Sequence, residues 1–132
     1  INDETIAVAI RYASQLPSPQ CEIFFAALGG EAGRMPVEAT AYCHRDANYV
    51  LNVHARWDTP AEDEKCVTWA RDFFRDSAAH ATGGVYINFM TEEETDRVKA
   101  AYGVSYERLK KVKRTYDPHN LFRLNQNIAV ED

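Results

Sequence analysis

Only three cysteines, Cys21, Cys43 and Cys66, occur among the 132 residues. None forms a C-x-x-C pair and their number is odd, which argues against a disulfide framework. The plain expectation is three buried thiols that behave as small hydrophobes. Long apolar runs are also missing, since nothing approaches the roughly 20 residues that cross a bilayer. Cations are in deficit: Lys+Arg 15 against Asp+Glu 20 leaves a formal net charge of -5. No general basic field is therefore available to hold nucleic acid or acidic lipid. The four histidines (His44, His54, His80 and His119) have no metal-ligand spacing, and none lies in H-E-x-x-H. No metal site is expected. The stretch Leu28-Gly29-Gly30-Glu31-Ala32-Gly33 lacks G-x-G-x-x-G spacing, and Pro36 with a β-rich run follows where a phosphate-binding helix would begin. Repeats and low-complexity linkers are absent. The first residues, Ile1-Asn2-Asp3-Glu4, are neither a signal peptide nor a start-codon product, and read as a cut edge of a longer polypeptide.

What is present suits one domain with a core: 45% hydrophobic and 27% charged residues are globular rather than disordered proportions. Asn2 or Asp3 is placed to cap a helix whose Ile6, Ala9, Ile10, Ala13 and Leu16 follow helical spacing, ended by Pro17 and Pro19. Strands are predicted over Cys21 to Leu28, Val37 to Cys43 and Asn48 to Trp57. Thr59-Pro60-Ala61-Glu62 reads as a capping box, followed by a stripe of Cys66, Trp69, Ala70, Phe73 and Phe74. A fourth strand is expected over Val85 to Phe89. Thr91 and Glu94 form a second capping box for a short helix stopping near Gly103, and Ser105 caps a last helix closed by Asp117-Pro118. The expectation is an α+β fold: an antiparallel β-sheet of about four strands, covered by helices on one face, with an extended C-terminal tail.

Two of these strands alternate informatively. Over Asn48 to Trp57, Tyr49, Leu51, Val53, Ala55 and Trp57 share one face, while Val50, Asn52, His54 and Arg56 lie on the other. Over Val85 to Phe89, Tyr86 and Asn88 point opposite Val85, Ile87 and Phe89. Were the two strands neighbours, their polar faces would merge into a surface able to line a ligand site. The plain alternative is a sheet with one wet face. The Lys110, Lys111, Lys113 and Arg114 run reads as a solvated helix face, with Glu107 within pairing distance in sequence.

From Tyr116 the chain runs Asp117-Pro118-His119-Asn120-Leu121-Phe122-Arg123-Leu124-Asn125-Gln126-Asn127-Ile128. This resembles the closing D-P-x-N-x-F-R-x-N-Q-x-I signature of berberine bridge enzyme-like oxidases. Upstream, Tyr106-Glu107-Arg108-Leu109 with Lys110, Val112 and Lys113 is similar to that family's lysine-bearing helix. Gly84-Val85-Tyr86-Ile87-Asn88-Phe89 is similar to its Y-x-N-[YF] strand, and Ala41-Tyr42-Cys43-His44-Arg45 to its strand pair around an H-R turn. The likeness extends from about Pro17 to Ile128.

The resemblance implies an enzyme: part of an FAD-linked oxidase that oxidises an alcohol, sugar or secondary metabolite with dioxygen. It implies that residues 1–104 belong to a substrate-binding domain, and that residues 105–132 form a helix and tail returning to an N-terminal FAD-binding domain of the same protein. By that reading FAD is a cofactor of the full-length protein, absent from this chain alone, which would be inactive by itself and prone to self-association. The family's attachment histidine and cysteine have no counterpart here. Tyr86, His54 and Asn52 are the implied catalytic residues, and Tyr86, Asn88, Asn125 and Gln126 the implied cofactor-binding ones. The expected partners are the FAD-binding domain and a small-molecule substrate, with neither nucleic acid nor membrane. Free tyrosine, with a pKa near ~10, is a poor base at neutral pH unless positive charge is near, whereas histidine titrates near ~6.5. The competing reading is a stand-alone α+β module that binds a small ligand or dimerises, without redox chemistry.

Overall fold

The fold begins with a side-chain cap. Asn2 Oδ1 accepts the Thr5 N–H at 2.9 Å and starts α1, Asp3–Ala13, which stops at Ser14 before the prolines are reached. In the computed structural model, which describes residues 1–91 and 97–130, the chain forms two compact units. One comprises Ile1–Ala27 with Tyr49–Gly83, and the other Leu28–Asn48 with Gly84–Asp132.

In the first unit, β1 (Glu22–Ala27) and β2 (Tyr49–His54) pair antiparallel, with Glu22 opposite His54 and Phe24 opposite Asn52. A 3-10 turn over Pro60–Glu62 leads into α3, Asp63–Ala78. The expected capping box takes a different form. The Thr59 hydroxyl donates to Glu62 Oε2 at 3.1 Å, and neither side chain caps the backbone. Cys66, Trp69 and Phe73 recur on one side of α3 and are buried, whereas Phe74, expected in the same stripe, is exposed. Cys21, Cys66 and Trp69 make the core, against which Ile23, Val53, Ala55 and Trp57 pack. The apolar face expected of β2 is therefore a core face at its C-terminal half, while Tyr49 at the other end is exposed. Helix α1 is anchored by Tyr12, not by its isoleucines. The Tyr12 ring meets Phe73 edge-on at 5.4 Å, its carbonyl accepts from Trp69 Nε1 at 3.2 Å, and its hydroxyl donates to Asp76 at 2.7 Å. Ile6, Ile10 and Phe25 are left lining a shallow apolar groove of about 400 Å³.

The second unit contains α2 (Glu31–Arg34), α4 (Val98–Tyr102) and α5 (Tyr106–Tyr116), with 3-10 turns at Val37–Ala39, Ile87–Phe89 and Gly103–Ser105. Two predicted strands are corrected here. Over Val37 to Cys43, Pro36 presets the backbone and a 3-10 turn closes through Ala39 N–H to Pro36 O at 3.1 Å. Arg45 then reaches across this loop to Ala32 O and Thr40 Oγ1, supplying side-chain bonds where a strand would have ladder bonds. Over Val85 to Phe89, the chain leaves Gly83 at φ 81 and winds into a 3-10 turn instead of extending. Among the described residues the sheet is thus two-stranded, not four-stranded, and the architecture is mixed helix and strand. Helix α4 ends at Gly103 as expected, although Glu94 of the second capping box lies outside the described residues. Ser105 precedes α5, but its hydroxyl donates to Thr40 O at 3.1 Å and does not cap the helix. Cys43 directs its thiol to Ala101 O at 3.5 Å, and all three cysteines are free. No described helix is long and apolar enough to cross a membrane.

Candidate functional site

Sequence alternation places Asn52 and His54 on one face of β2, and the register brings Glu22 of β1 across to them. His54 Nδ1 lies 2.9 Å from Glu22 Oε1, and His54 Nε2 lies 3.0 Å from Asn52 Nδ2. Arg56 Nη2 comes within 3.0 Å of His54 Nδ1 and 3.6 Å of Glu22 Oε1. Phe24 meets the imidazole edge-on at 5.2 Å. The His54 side chain is 30% exposed, so this cluster is a half-open polar surface. Glu22 was missed in the sequence because the whole segment read as a buried apolar strand. Its negative charge at the strand start was the available signal.

The second cluster lies in the other unit. Tyr86 immediately precedes the 3-10 turn, in which Phe89 N–H donates back to Tyr86 O at 2.9 Å. A 3-10 turn brings residues three apart to the same side. The Tyr86 and Phe89 rings therefore touch edge-on at 5.0 Å, although period-two alternation had put them on opposite faces. Asn88 Nδ2 donates to the Tyr86 phenolic oxygen at 2.9 Å, so the expected pair does come together. Tyr42 stands edge-on to both Tyr86 (6.2 Å) and His44 (5.9 Å), and donates to His44 O at 2.9 Å. Burial pushes the Tyr42 phenol above its ordinary value, with the nearby Arg45 guanidinium, 4.9 Å from the ring centroid, opposing. Gly84 allows this packing. A Cβ there would sit 2.9 Å from His44 Nδ1. The merged polar sheet face envisaged for Asn52, His54, Tyr86 and Asn88 does not arise through strand pairing, because the Tyr86 segment is no strand.

The tail is built on Asp117. Its carboxylate accepts from Lys113 Nζ at 2.5 Å, Leu121 N–H at 2.7 Å and Phe122 N–H at 3.1 Å. These contacts, Lys113 foremost, hold the carboxyl below its ordinary range. They also turn the chain so that Leu121, Phe122 and Leu124 are exposed. Gln126 Nε2 donates to Met90 O and Thr91 O, both at 3.2 Å, while Asn125 is exposed at φ 58. Buried polar atoms without a partner gather in this unit: His44 Nε2, Arg45 Nε, Asn120 Oδ1, Gln126 Oε1 and Asn127 Oδ1. Native proteins leave few such atoms unsatisfied. Unmet acceptors together with an unmet guanidinium N–H are the polar chemistry that the N–H and carbonyl edge of a flavin would answer. Among the described residues no group of histidines, cysteines and carboxylates could hold a metal ion.

Residues 85–129, which contain Tyr86, Asn88, Asn125 and Gln126, match the family model described as "Berberine and berberine like". The chain is 33% identical to the protein named "Uncharacterized FAD-linked oxidoreductase YgaK" of Bacillus subtilis, over 97% of its own length and 28% of that protein's. It is 30% identical to the aclacinomycin-N/aclacinomycin-A oxidase of Streptomyces galilaeus, over 77% of this chain and 22% of that one. The fold superposes on BBE-like 1 of Physcomitrella patens with a TM-score of 0.85 at 21% identity, covering 100% of this chain and 28% of that one. It also superposes on a glycopeptide hexose oxidase, solved in complex with teicoplanin, with a TM-score of 0.83 at 25% identity, covering 97% and 30%. The chain thus spans under a third of the length of each of these relatives. Residues 85–129 thus carry a berberine and berberine-like region, and the chain is homologous to part of the berberine bridge enzyme-like FAD-linked oxidoreductases.

Proposed function

We propose that this chain supplies substrate-facing residues to an FAD-dependent oxidase that acts on an alcohol, sugar or secondary metabolite. In this reading residues 1–104 belong to the substrate-binding domain, and residues 105–132 return to an N-terminal FAD-binding domain of the same polypeptide. The hexose oxidase among the structural relatives supports the sugar arm. Tyr86, Asn88, Asn125 and Gln126 would hold the flavin, with Gln126 fixed by its two carbonyl partners. When bound, that group takes hydride from a substrate C–H and passes the electrons to dioxygen.

The protein's own task is then to orient the substrate and remove its hydroxyl proton. The observation that carries the reading is the Tyr86–Asn88 pair. Asn88 donates to the phenolic oxygen at 2.9 Å, so Asn88 does not consume the phenol's hydrogen, and the side chain is 38% exposed. Tyr86 is therefore assigned as the group that exchanges the proton. Within its own unit, His54 with Asn52 is the second candidate base.

Tyr86→Phe keeps the ring contacts with Tyr42 and Phe89 and removes only the hydroxyl. In the full-length protein, flavin reduction in a stopped-flow half-reaction is expected to slow by about 10²–10⁴, the usual worth of general-base catalysis. Flavin content is expected to stay unchanged. Reduction within about threefold of wild type, far below that range, would remove Tyr86 from the chemistry. His54→Gln, measured in parallel, decides whether the role passes to histidine.

A further inference from the structure

The Asn52–His54–Glu22 geometry points to a positioning residue outside the matched signature. We propose that Glu22 locks His54 in the tautomer that carries its proton on Nδ1, leaving the Nε2 lone pair free to accept. The argument is one of elimination among hydrogen-bond partners. Asn52 Oδ1 accepts the Val53 backbone N–H at 3.0 Å, which fixes the amide with Nδ2, a donor, toward the imidazole. His54 Nε2, 3.0 Å from that donor, must therefore accept. A neutral imidazole whose Nε2 accepts carries its hydrogen on Nδ1. There Glu22 Oε1, an obligate acceptor when ionised, waits at 2.9 Å.

The other tautomer satisfies only one neighbour. It would let Nδ1 accept from Arg56, but would set a lone pair against the Glu22 carboxylate and an N–H against the Asn52 amide. A doubly protonated ring keeps Glu22 and loses both Asn52 and Arg56. With the Nδ1–H form, Arg56 turns to Glu22, already 3.6 Å away. Glu22 and Arg56 both converge on Nδ1 rather than Nε2.

The consequence rests on the oxidase reading above in its second form, with His54 rather than Tyr86 as the base. A substrate hydroxyl that displaces the Asn52 amide donates to the same Nε2 and can leave its proton there. Glu22 touches neither substrate nor flavin in this scheme and acts only through His54, by holding the tautomer as a buried acid does in hydrolytic triads.

The test uses the protein expressed over its full reading frame, with ¹⁵N-labelled histidine rings and His54 assigned by its loss in His54→Gln. At pH about 8.5, where an ordinary imidazole is neutral, His54 is expected to show a protonated Nδ1 and an unprotonated Nε2. Glu22→Ala is expected to shift the population to the Nε2–H form. Glu22→Gln places there an amide that can donate to Nδ1 as well as accept from it, and is expected to weaken the lock, as an amide in place of the acid does in hydrolytic triads. An Nε2–H ring in the wild type, or a Glu22→Ala spectrum unchanged at His54, overturns the proposal. Flavin reduction is followed in the same variants. Because Glu22 is half exposed, a loss on the order of tenfold is expected for Glu22→Ala, less than the wrong tautomer costs at a fully buried acid. A tautomer switch without any change in flavin reduction leaves the Glu22 lock standing and removes His54 from the chemistry, so the two readings fail separately.

Discussion

Gly103 joins the helix that ends at Tyr102 to the one that leads into the signature tail, and Gly103→Ala probes that joint. The residue sits at φ 47 and ψ -126, a region essentially reserved for glycine. A Cβ there would also lie 2.9 Å from Cys43 Sγ, which is itself directed to Ala101 O. The backbone part should cost about 1–3 kcal/mol, and the clash about as much again if Cys43 cannot move. Together they remove about 2–6 kcal/mol, a large share of the roughly 5–15 kcal/mol that stabilises a domain. Replacing Cys43 by alanine separates the two, because its Cβ stands at an ordinary 3.7 Å from the new methyl. In the Cys43→Ala background, Gly103→Ala should therefore cost only the backbone share, about 1–3 kcal/mol. The assay is urea unfolding of the four members of this double-mutant cycle, with amide exchange at Ala101 and Tyr102 as the local readout. A single variant within about 0.5 kcal/mol of wild type, the range of an ordinary surface change, would refute the strained-joint argument. A cycle with no coupling would refute the Cys43 contact alone.

Two further outcomes follow from the same structure. Lys113, together with the Leu121 and Phe122 amides, holds the Asp117 carboxyl below its ordinary range, so its contribution is full above the unfolded value near ~3.9 and is lost as pH falls through the lower folded one. The Leu121 and Phe122 amide resonances should hold at about pH 4 and move only in more acid solution, and a midpoint at or above ~3.9 counts against the assignment. Phe73, 2% exposed and edge-on to Tyr12, should cost about 3–5 kcal/mol when truncated to alanine, with a smaller loss for the exposed Phe74→Ala. Denaturant midpoints that rank the two variants the other way would show that the core had been misplaced.

What the sequence discloses depends on whether the deciding interaction is local. Asn2 capping Thr5, the Gly103 stop and the Asp117 turn each lie within five residues of their partners, and each could be read from spacing alone. β1 and β2 were legible as strands because their apolar runs meet no proline or glycine, and because each is the other's ladder. Val37 to Cys43 and Val85 to Phe89 have equally strand-like composition. There, however, Pro36 and Gly83 set the backbone entry, and a 3-10 turn takes up the Ala39 and Phe89 N–H groups in place of a ladder. Polarity alternation reports which side chains prefer water. It does not report where the backbone finds its hydrogen bonds. The candidate site divides along the same line. Asn52 and His54 are two residues apart and share a strand face, so alternation found them. Glu22 lies 32 positions from His54 and becomes its partner only through the register of two strands, which neither segment encodes alone. Tyr86 and Asn88 met as expected, yet the contact of Tyr86 with Phe89 obeys a period of three, so their agreement with a strand pattern was compatible with a backbone that is not a strand.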